Sequence, residues 1–415
     1  MEQIITSLLD NDWYKYPMGQ LIWRHFRDAE VTFSLTNRTK SVRLAEIINE
    51  EELRYELDCV RNLRYSGDQI DFLRSQRSSK GQILCDEYLR YMHREFYLPP
   101  YDLKIVDGQF DLTSTGPWQN VSHWEIYALP IINELYYRTL ERKQSTIERC
   151  ASYAFGIEQL KEKNRILGEH PEVSVSDFGT RRRYSRERHE LVVRVLAEER
   201  PRSQFIGTSN VELAMKLGLP VIGTSAHELP MVIGALYRST EAPFVSQNRV
   251  LKYWWNEYGH DLSIALTDTL RTPYFLKHLP YEVARDWKGF RQDSGDPIAF
   301  GEMIIAFYES LRIDPREKLI VFSDGLDIDA IVRIANYFRR RIRTTFGWGT
   351  NLTNDWGFPT LSLVMKAVSV RKKGKLIWTA KLSDNLAKAI GDPEIITLYK
   401  KDCGYGETFS QECRY

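Results

Sequence analysis

Cysteine is scarce: five residues, Cys59, Cys85, Cys150, Cys403 and Cys413, scattered over 415 positions and never at C-x-x-C spacing. That argues against a disulfide scaffold or a zinc ribbon and fits a reducing compartment. No apolar run approaches the length of a bilayer span. Met1-Glu2-Gln3-Ile4 has neither a basic n-region nor a small-residue cleavage site. Both point to a cytoplasmic protein without a membrane partner. A net charge of +1 leaves no bulk basic field to draw nucleic acid. H-E-x-x-H, EF-hand and clustered Cys/His spacings are missing, so no tightly held metal is expected. The P-loop and the G-x-G-x-x-G turn are missing too, leaving no familiar ATP motif. What remains is a chain long enough for two domains, with 43% hydrophobic residues to build a core.

The first 140 residues read as an N-terminal α/β domain. Val31–Arg38 alternates and predicts a strand. Helical periodicity runs from Leu44 to Leu63, and a hairpin is expected to turn at Asp107-Gly108. Leu9–Met18 suggests a capped helix start, and helices follow over Trp124–Leu140 and Gln144–Leu167.

From about residue 172 short apolar strands recur, each ending in a Gly or polar tip. They begin near Val173, Gln204, Val221, Ser263, Gly289, Leu319, Arg343 and Leu363. Strand–helix alternation demands parallel pairing, and a number near eight suggests an irregular (β/α) barrel over residues 141–369. Barrel ligands sit at the C-terminal strand ends, where these polar tips fall. Residues 370–415 are open, a return onto the N-terminal domain being one option.

The tips offer several chemistries. His227, in Gly223-Thr224-Ser225-Ala226-His227-Glu228 before an apolar helix, is a proton shuttle or nucleophile, or else only a cap. Arg291 and Asp293 suit an anion and either Mg²⁺ or a developing positive charge, or form a turn salt bridge. Gly347, Gly349 and Thr350 are a phosphate cradle or an ordinary βα turn. Asp324 and Gly325 contact phosphate or ribose, or open a helix. The run Arg181, Arg182, Arg183, Arg186, Arg188 draws polyphosphate or is a solvated face. Phe178 can stack on a flat ring. Lys366 and Lys381 are weaker candidates.

Taken in order, these motifs, with Asp12-Trp13-Tyr14-Lys15, Thr36-Asn37-Arg38 and Gly207-Thr208-Ser209-Asn210, resemble the nicotinate phosphoribosyltransferases over nearly the whole chain. The resemblance implies a type II phosphoribosyltransferase fold, an α/β N-terminal domain on an irregular barrel. It implies that nicotinate, phosphoribosyl pyrophosphate and ATP give nicotinate mononucleotide, pyrophosphate, ADP and phosphate. This would be the first step of NAD salvage from nicotinic acid. By the same mapping His227 is phosphorylated from ATP. Arg291 and Thr224 hold nicotinate, and Tyr14 from a partner subunit stacks with Phe178. Arg181, Asp324, Gly325, Gly347, Gly349 and Thr350 serve the phosphoribosyl group, Mg²⁺ arrives with substrate, and the protein is a homodimer with shared sites. Ser209 stands where nicotinamide-using relatives carry an Asp, and an Asp would repel a carboxylate, so nicotinate is favoured. The alternatives are a nicotinamide phosphoribosyltransferase, a non-catalytic metabolite-binding barrel, or a sugar-phosphate lyase, for which only Lys366 is a candidate Schiff-base residue.

Overall fold

A computed structural model describes residues 3–404. The alternating strand forms over Glu30–Asn37, with Val31, Phe33 and Leu35 buried on one face. It lies at the centre of a five-stranded antiparallel sheet, between Leu363–Lys372 and Gln109–Pro117. Lys375–Trp378 and Tyr101–Val106 form the edges. Asp107 (φ 49°) and Gly108 (φ 71°) make the two-residue hairpin turn, whose left-handed pair suits Asp-Gly. The Leu44–Leu63 periodicity breaks in two, Leu44–Ile47 and Glu50–Asn62. Ile48 and Asn49 are extended, and the Asn49 side chain caps the second helix by accepting from Glu52 N. The long helices form over Trp124–Arg142 and Thr146–Glu169, the latter opened by a Ser145/Glu148 capping box.

The expected capped start at Leu9–Met18 is corrected. That helix begins at Lys15, and Tyr14 caps it without a side-chain bond. The two aspartates are spent on the barrel instead: Asp10 grips Arg183 with two 2.6 Å bonds, and Asp12 takes the hydroxyl of Ser209 at 2.7 Å.

Six parallel strands form the second sheet, in the spatial order Phe205–Thr208, Val175–Asp177, Arg343–Trp348, Leu319–Phe322, Gly289–Gln292, Ile264–Leu266. A single parallel bridge, Thr208 to Val221, extends it. The ladder follows chain order around a ring, closes where Arg343–Trp348 meets Val175–Asp177, and shows no pairing between Val221 and Ile264–Leu266 among the described residues. This is an irregular (β/α) barrel.

Two of the eight expected strands differ. Val221–Ile222 makes only the one bridge, because Pro220 has no N–H to add another rung. Gly207 (φ 148°) permits even this contact, since a Cβ there would overlap the Pro220 carbonyl. Leu363–Ala367 leaves the barrel altogether. It opens a ten-residue strand that pairs antiparallel along the whole of Glu30–Asn37, a length that suits the N-terminal sheet better than a short barrel rung. The return onto the N-terminal domain therefore starts at Leu363 rather than residue 370. Residues 405–415 lie outside those described. Among the described residues no helix is long and apolar enough to cross a membrane.

Candidate active site

The C-terminal ends of the barrel strands and the returning chain enclose one cavity. Phe178 and Arg181 come from the loop after Val175–Asp177, and Arg291 and Asp293 from the end of Gly289–Gln292. Ser323–Leu326 follow Leu319–Phe322; Gly347 lies at the end of Arg343–Trp348, and Gly349, Thr350 and Asn351 follow it. Arg38 from the N-terminal sheet and Lys366, Lys381 and Lys388 from the returning chain complete the lining. With Arg182, seven cationic side chains line the space against two carboxylates, Asp293 and Asp324, so the cavity is built for an anion.

His227 precedes the helix Glu228–Tyr237 and is 4% exposed. Its Nδ1 lies 2.9 Å from Thr269 Oγ1. Its Nε2 lies 3.0 Å from Asp293 Oδ2 and 2.9 Å from Lys381 Nζ, with Asp268 Oδ1 at 3.3 Å. Burial, then Lys381, lowers its pKa to about 4 against the pull of Asp268 and Asp293. The ring is therefore neutral at pH 7. A proton on Nε2 donates to Asp293; without it, the Nε2 lone pair accepts from Lys381. Burial opposes ionisation of Asp293, yet Arg291 and His227 hold its carboxyl well below the usual range. His227, Asp268 and Asp293 bring ligand-type atoms within 4.8 Å of one another, the one such group among the described residues. The Lys381 ammonium, 3.1 Å from Asp268 Oδ2, already supplies a cation among them.

Arg291 donates from Nη1 to Thr224 Oγ1 at 2.6 Å, and its Nη2 is 3.6 Å from Asp293 Oδ1. Its Nε is buried without a partner, so the fork keeps a donor in reserve. The Phe178 ring packs on Gly347, where any Cβ would overlap Cδ2 and Cε2 of that ring. Ser323 Oγ is 3.0 Å from Asp293 Oδ1, and Lys388 pairs with Asp324. Asn351 Nδ2 donates to Leu326 O at 3.0 Å, tying the two polar loops together.

The family model of the nicotinate phosphoribosyltransferase N-terminal domain matches residues 9–133, and that of the nicotinate phosphoribosyltransferase family matches residues 173–407. The chain belongs to the nicotinate phosphoribosyltransferase family. Three solved structures are similar. Nicotinate phosphoribosyltransferase from Porphyromonas gingivalis is 32% identical, with a TM-score of 0.84 over 97% of this chain and 100% of that one. Nicotinate phosphoribosyltransferase from Vibrio cholerae is 30% identical, with a TM-score of 0.84 over 98% and 95%. A putative nicotinate phosphoribosyltransferase from Saccharomyces cerevisiae is 28% identical, with a TM-score of 0.86 over 98% and 100%.

Of the residues expected to form the nicotinate phosphoribosyltransferase site, all but Tyr14 and Thr224 line the cavity. Thr224 touches it through Arg291. Tyr14, expected from a partner subunit, is buried by its own chain, beside Gly223 and with its ring centre 6.0 Å from the Arg181 guanidinium. Gly347 serves the aromatic ring as well as the polar loop. The basic run divides. Arg181 and Arg182 face the cavity, and Arg183 is buried on Asp10. Arg186 reaches Thr6, and Arg188 stacks 4.0 Å from the Tyr184 ring centre. Arg38, Lys388, Asp268 and Thr269 were not singled out as site residues by pattern. Arg38 and Lys388 reach the cavity from the N-terminal sheet and the chain's return; Arg38 stands in the Thr36-Asn37-Arg38 motif, whereas no local signal marks Lys388.

Proposed function

We propose that the protein transfers the phosphoribosyl group of phosphoribosyl pyrophosphate to nicotinate, coupled to ATP through a phosphohistidine at His227, in NAD salvage. The observation that carries this is one cavity holding a buried Arg fork with an unspent donor, an aromatic ring bedded on glycine, and a neutral histidine among cations.

In this reading the carboxylate of nicotinate meets Arg291, whose guanidinium Thr224 and Asp293 hold in place. Phe178 supports the pyridine ring. The pyridine nitrogen forms a bond to ribose C1, the bond from C1 to the pyrophosphate oxygen breaks, and pyrophosphate leaves with the electron pair. The pyridine lone pair is free, so no general base is needed. Asp293, near the strand end, stabilises positive charge at C1, and the cavity cations take the leaving charge. Asp293 and Asp324 are oxygen donors of the kind Mg²⁺ prefers and would hold the ion that arrives with the phosphates, where it neutralises the departing charge.

His227 Nε2 faces Asp293 and Lys381 and would take the γ-phosphoryl group of ATP, releasing ADP; water then returns it as phosphate. The homodimer with shared sites stays part of this reading. γ-Labelled ATP with Mg²⁺ tests the coupling. Acid-labile, base-stable label in the wild type and none in His227→Ala is the expected result. Failure to make nicotinate mononucleotide from nicotinate and phosphoribosyl pyrophosphate would overturn the reading.

A further inference from the structure

Glu125 stands in the first turn of the helix Trp124–Arg142, with its side chain 2% exposed. Its position near a helix N-terminus favours a carboxylate. Three cations converge on it. Lys366 Nζ lies 2.7 Å and Arg181 Nη1 3.2 Å from Oε1, and Lys15 Nζ lies 2.9 Å from Oε2. Burial opposes its ionisation, but Lys366, Lys15 and Arg181 hold the carboxyl below the usual range.

The three cations are not equally dependent on it. Lys15 has Glu228 at 2.6 Å, and Arg181 Nε has Asp12 at 3.4 Å. Glu125 is the carboxylate that pairs with Lys366. Lys15 does not line the cavity, whereas Arg181 and Lys366 do, in the same cavity as Asp324 and Thr350. One buried carboxylate thus sets the direction of two cavity cations and supplies the counter-charge of one.

We propose that Glu125 is a positioning residue that keeps Lys366 charged and, with Arg181, aimed into the cavity for the pyrophosphoryl part of the substrate. This rests on the phosphoribosyl-transfer reading for its substrate, but its geometry does not. Lys366 is the sensitive member: burial, opposed by Glu125 and reinforced by Arg181 and Lys15, lowers its pKa to about 8. Removing the charge of Glu125 lowers it further, so a smaller share of Lys366 is charged at neutral pH. A bound pyrophosphate would raise it again, taking up a proton.

The test is calorimetry of inorganic pyrophosphate binding to the full chain from pH 6.5 to 9, for the wild type, Glu125→Gln, Lys366→Met and the double variant. Glu125→Gln keeps size and one acceptor oxygen, replaces the other oxygen with a donor NH2 and removes the charge. The expected result is binding weakened by roughly tenfold or more at pH 7.5, with the alkaline limb moved to lower pH. In the Lys366→Met background the same change should have little further effect, because it acts mainly through that lysine. Where turnover is measured, KM for phosphoribosyl pyrophosphate should rise and KM for nicotinate should hold. Pyrophosphate binding and its pH limb unchanged in Glu125→Gln would overturn the proposal, as would full additivity with Lys366→Met. Should Glu125→Gln not fold, Lys366→Met alone decides, and unchanged binding overturns it. A wild type that binds pyrophosphate with this pH limb but makes no nucleotide from nicotinate would sink the substrate reading and leave Glu125 in its role.

Discussion

Lys381 sets its ammonium nitrogen 2.9 Å from Nε2 of His227, although 154 positions separate them in the chain. The cation is the second cause, after burial, of the low basicity of the ring, and Asp268 and Asp293 act against it. Lys381→Met removes a like charge and leaves the two carboxylates, so the His227 pKa should rise from about 4. A rise means the neutral, nucleophilic form is lost at higher pH. The acid limb of phosphohistidine formation should move up in step with the imidazole C–H shift followed by NMR. A limb that does not move would show that burial alone sets the ring's charge.

Gly347→Ala should act through Phe178. The added methyl overlaps the ring edge, so the ring must tilt. Misplacing the surface that holds a reactant by about 1 Å can cost about 10²-fold in rate. We expect kcat/KM for nicotinate to fall by that order, with KM rising and thermal stability little changed. An equal loss in pyrophosphate binding would instead assign Gly347 to the phosphate loop alone.

Arg183→Met should unfold the protein more readily without changing the site. The pair with Asp10 is buried on both sides, at 1% exposure each. Removing one partner strands the other, at a cost of roughly 3–5 kcal/mol. Lysine cannot reproduce the two-pronged contact, so Arg183→Lys should recover only part of this. Urea denaturation at pH 7 measures both, and KM values of the folded variants should match the wild type.

Ser209→Asp should erode the choice between nicotinate and nicotinamide. Ser209 is 3% exposed and donates to Asp12, whose carboxyl burial pushes up despite Arg181. A second carboxylate there adds negative charge beside Asp12 and Arg181. The ratio of kcat/KM for the two pyridines should fall by roughly tenfold, about 1.4 kcal/mol. Ser209→Ala removes the bond without adding charge and should leave the ratio near that of the wild type.

Much of the site was legible because a parallel barrel gathers the same end of every strand. Thr224, Arg291, Asp324 and Thr350 each follow a short apolar run, and that topology alone brings such tips together. The three consecutive arginines show where this stops. Thr180–Arg182 is a 3₁₀ turn, and Arg183 leaves it with ψ 152°, outside the helical range. Arg181 and Arg182 reach the cavity while Arg183 turns into the core. A charge run records composition but not the direction in which each side chain leaves the backbone.

By itself the sequence determined the elements: the Asp107–Gly108 turn, the strand tips, and a histidine beside a helix start, since these depend on neighbours a few residues away. Only the tertiary structure decided which distant chain supplies the other wall. Leu363–Lys372 leaves the barrel to pair with Glu30–Asn37, and that register carries Lys366 to Glu125. The following segment brings Lys381 to His227, and Lys388 to Asp324. Long-range strand pairing is set by the whole buried face of a sheet, and no local pattern around a lysine encodes the carboxylate it will meet.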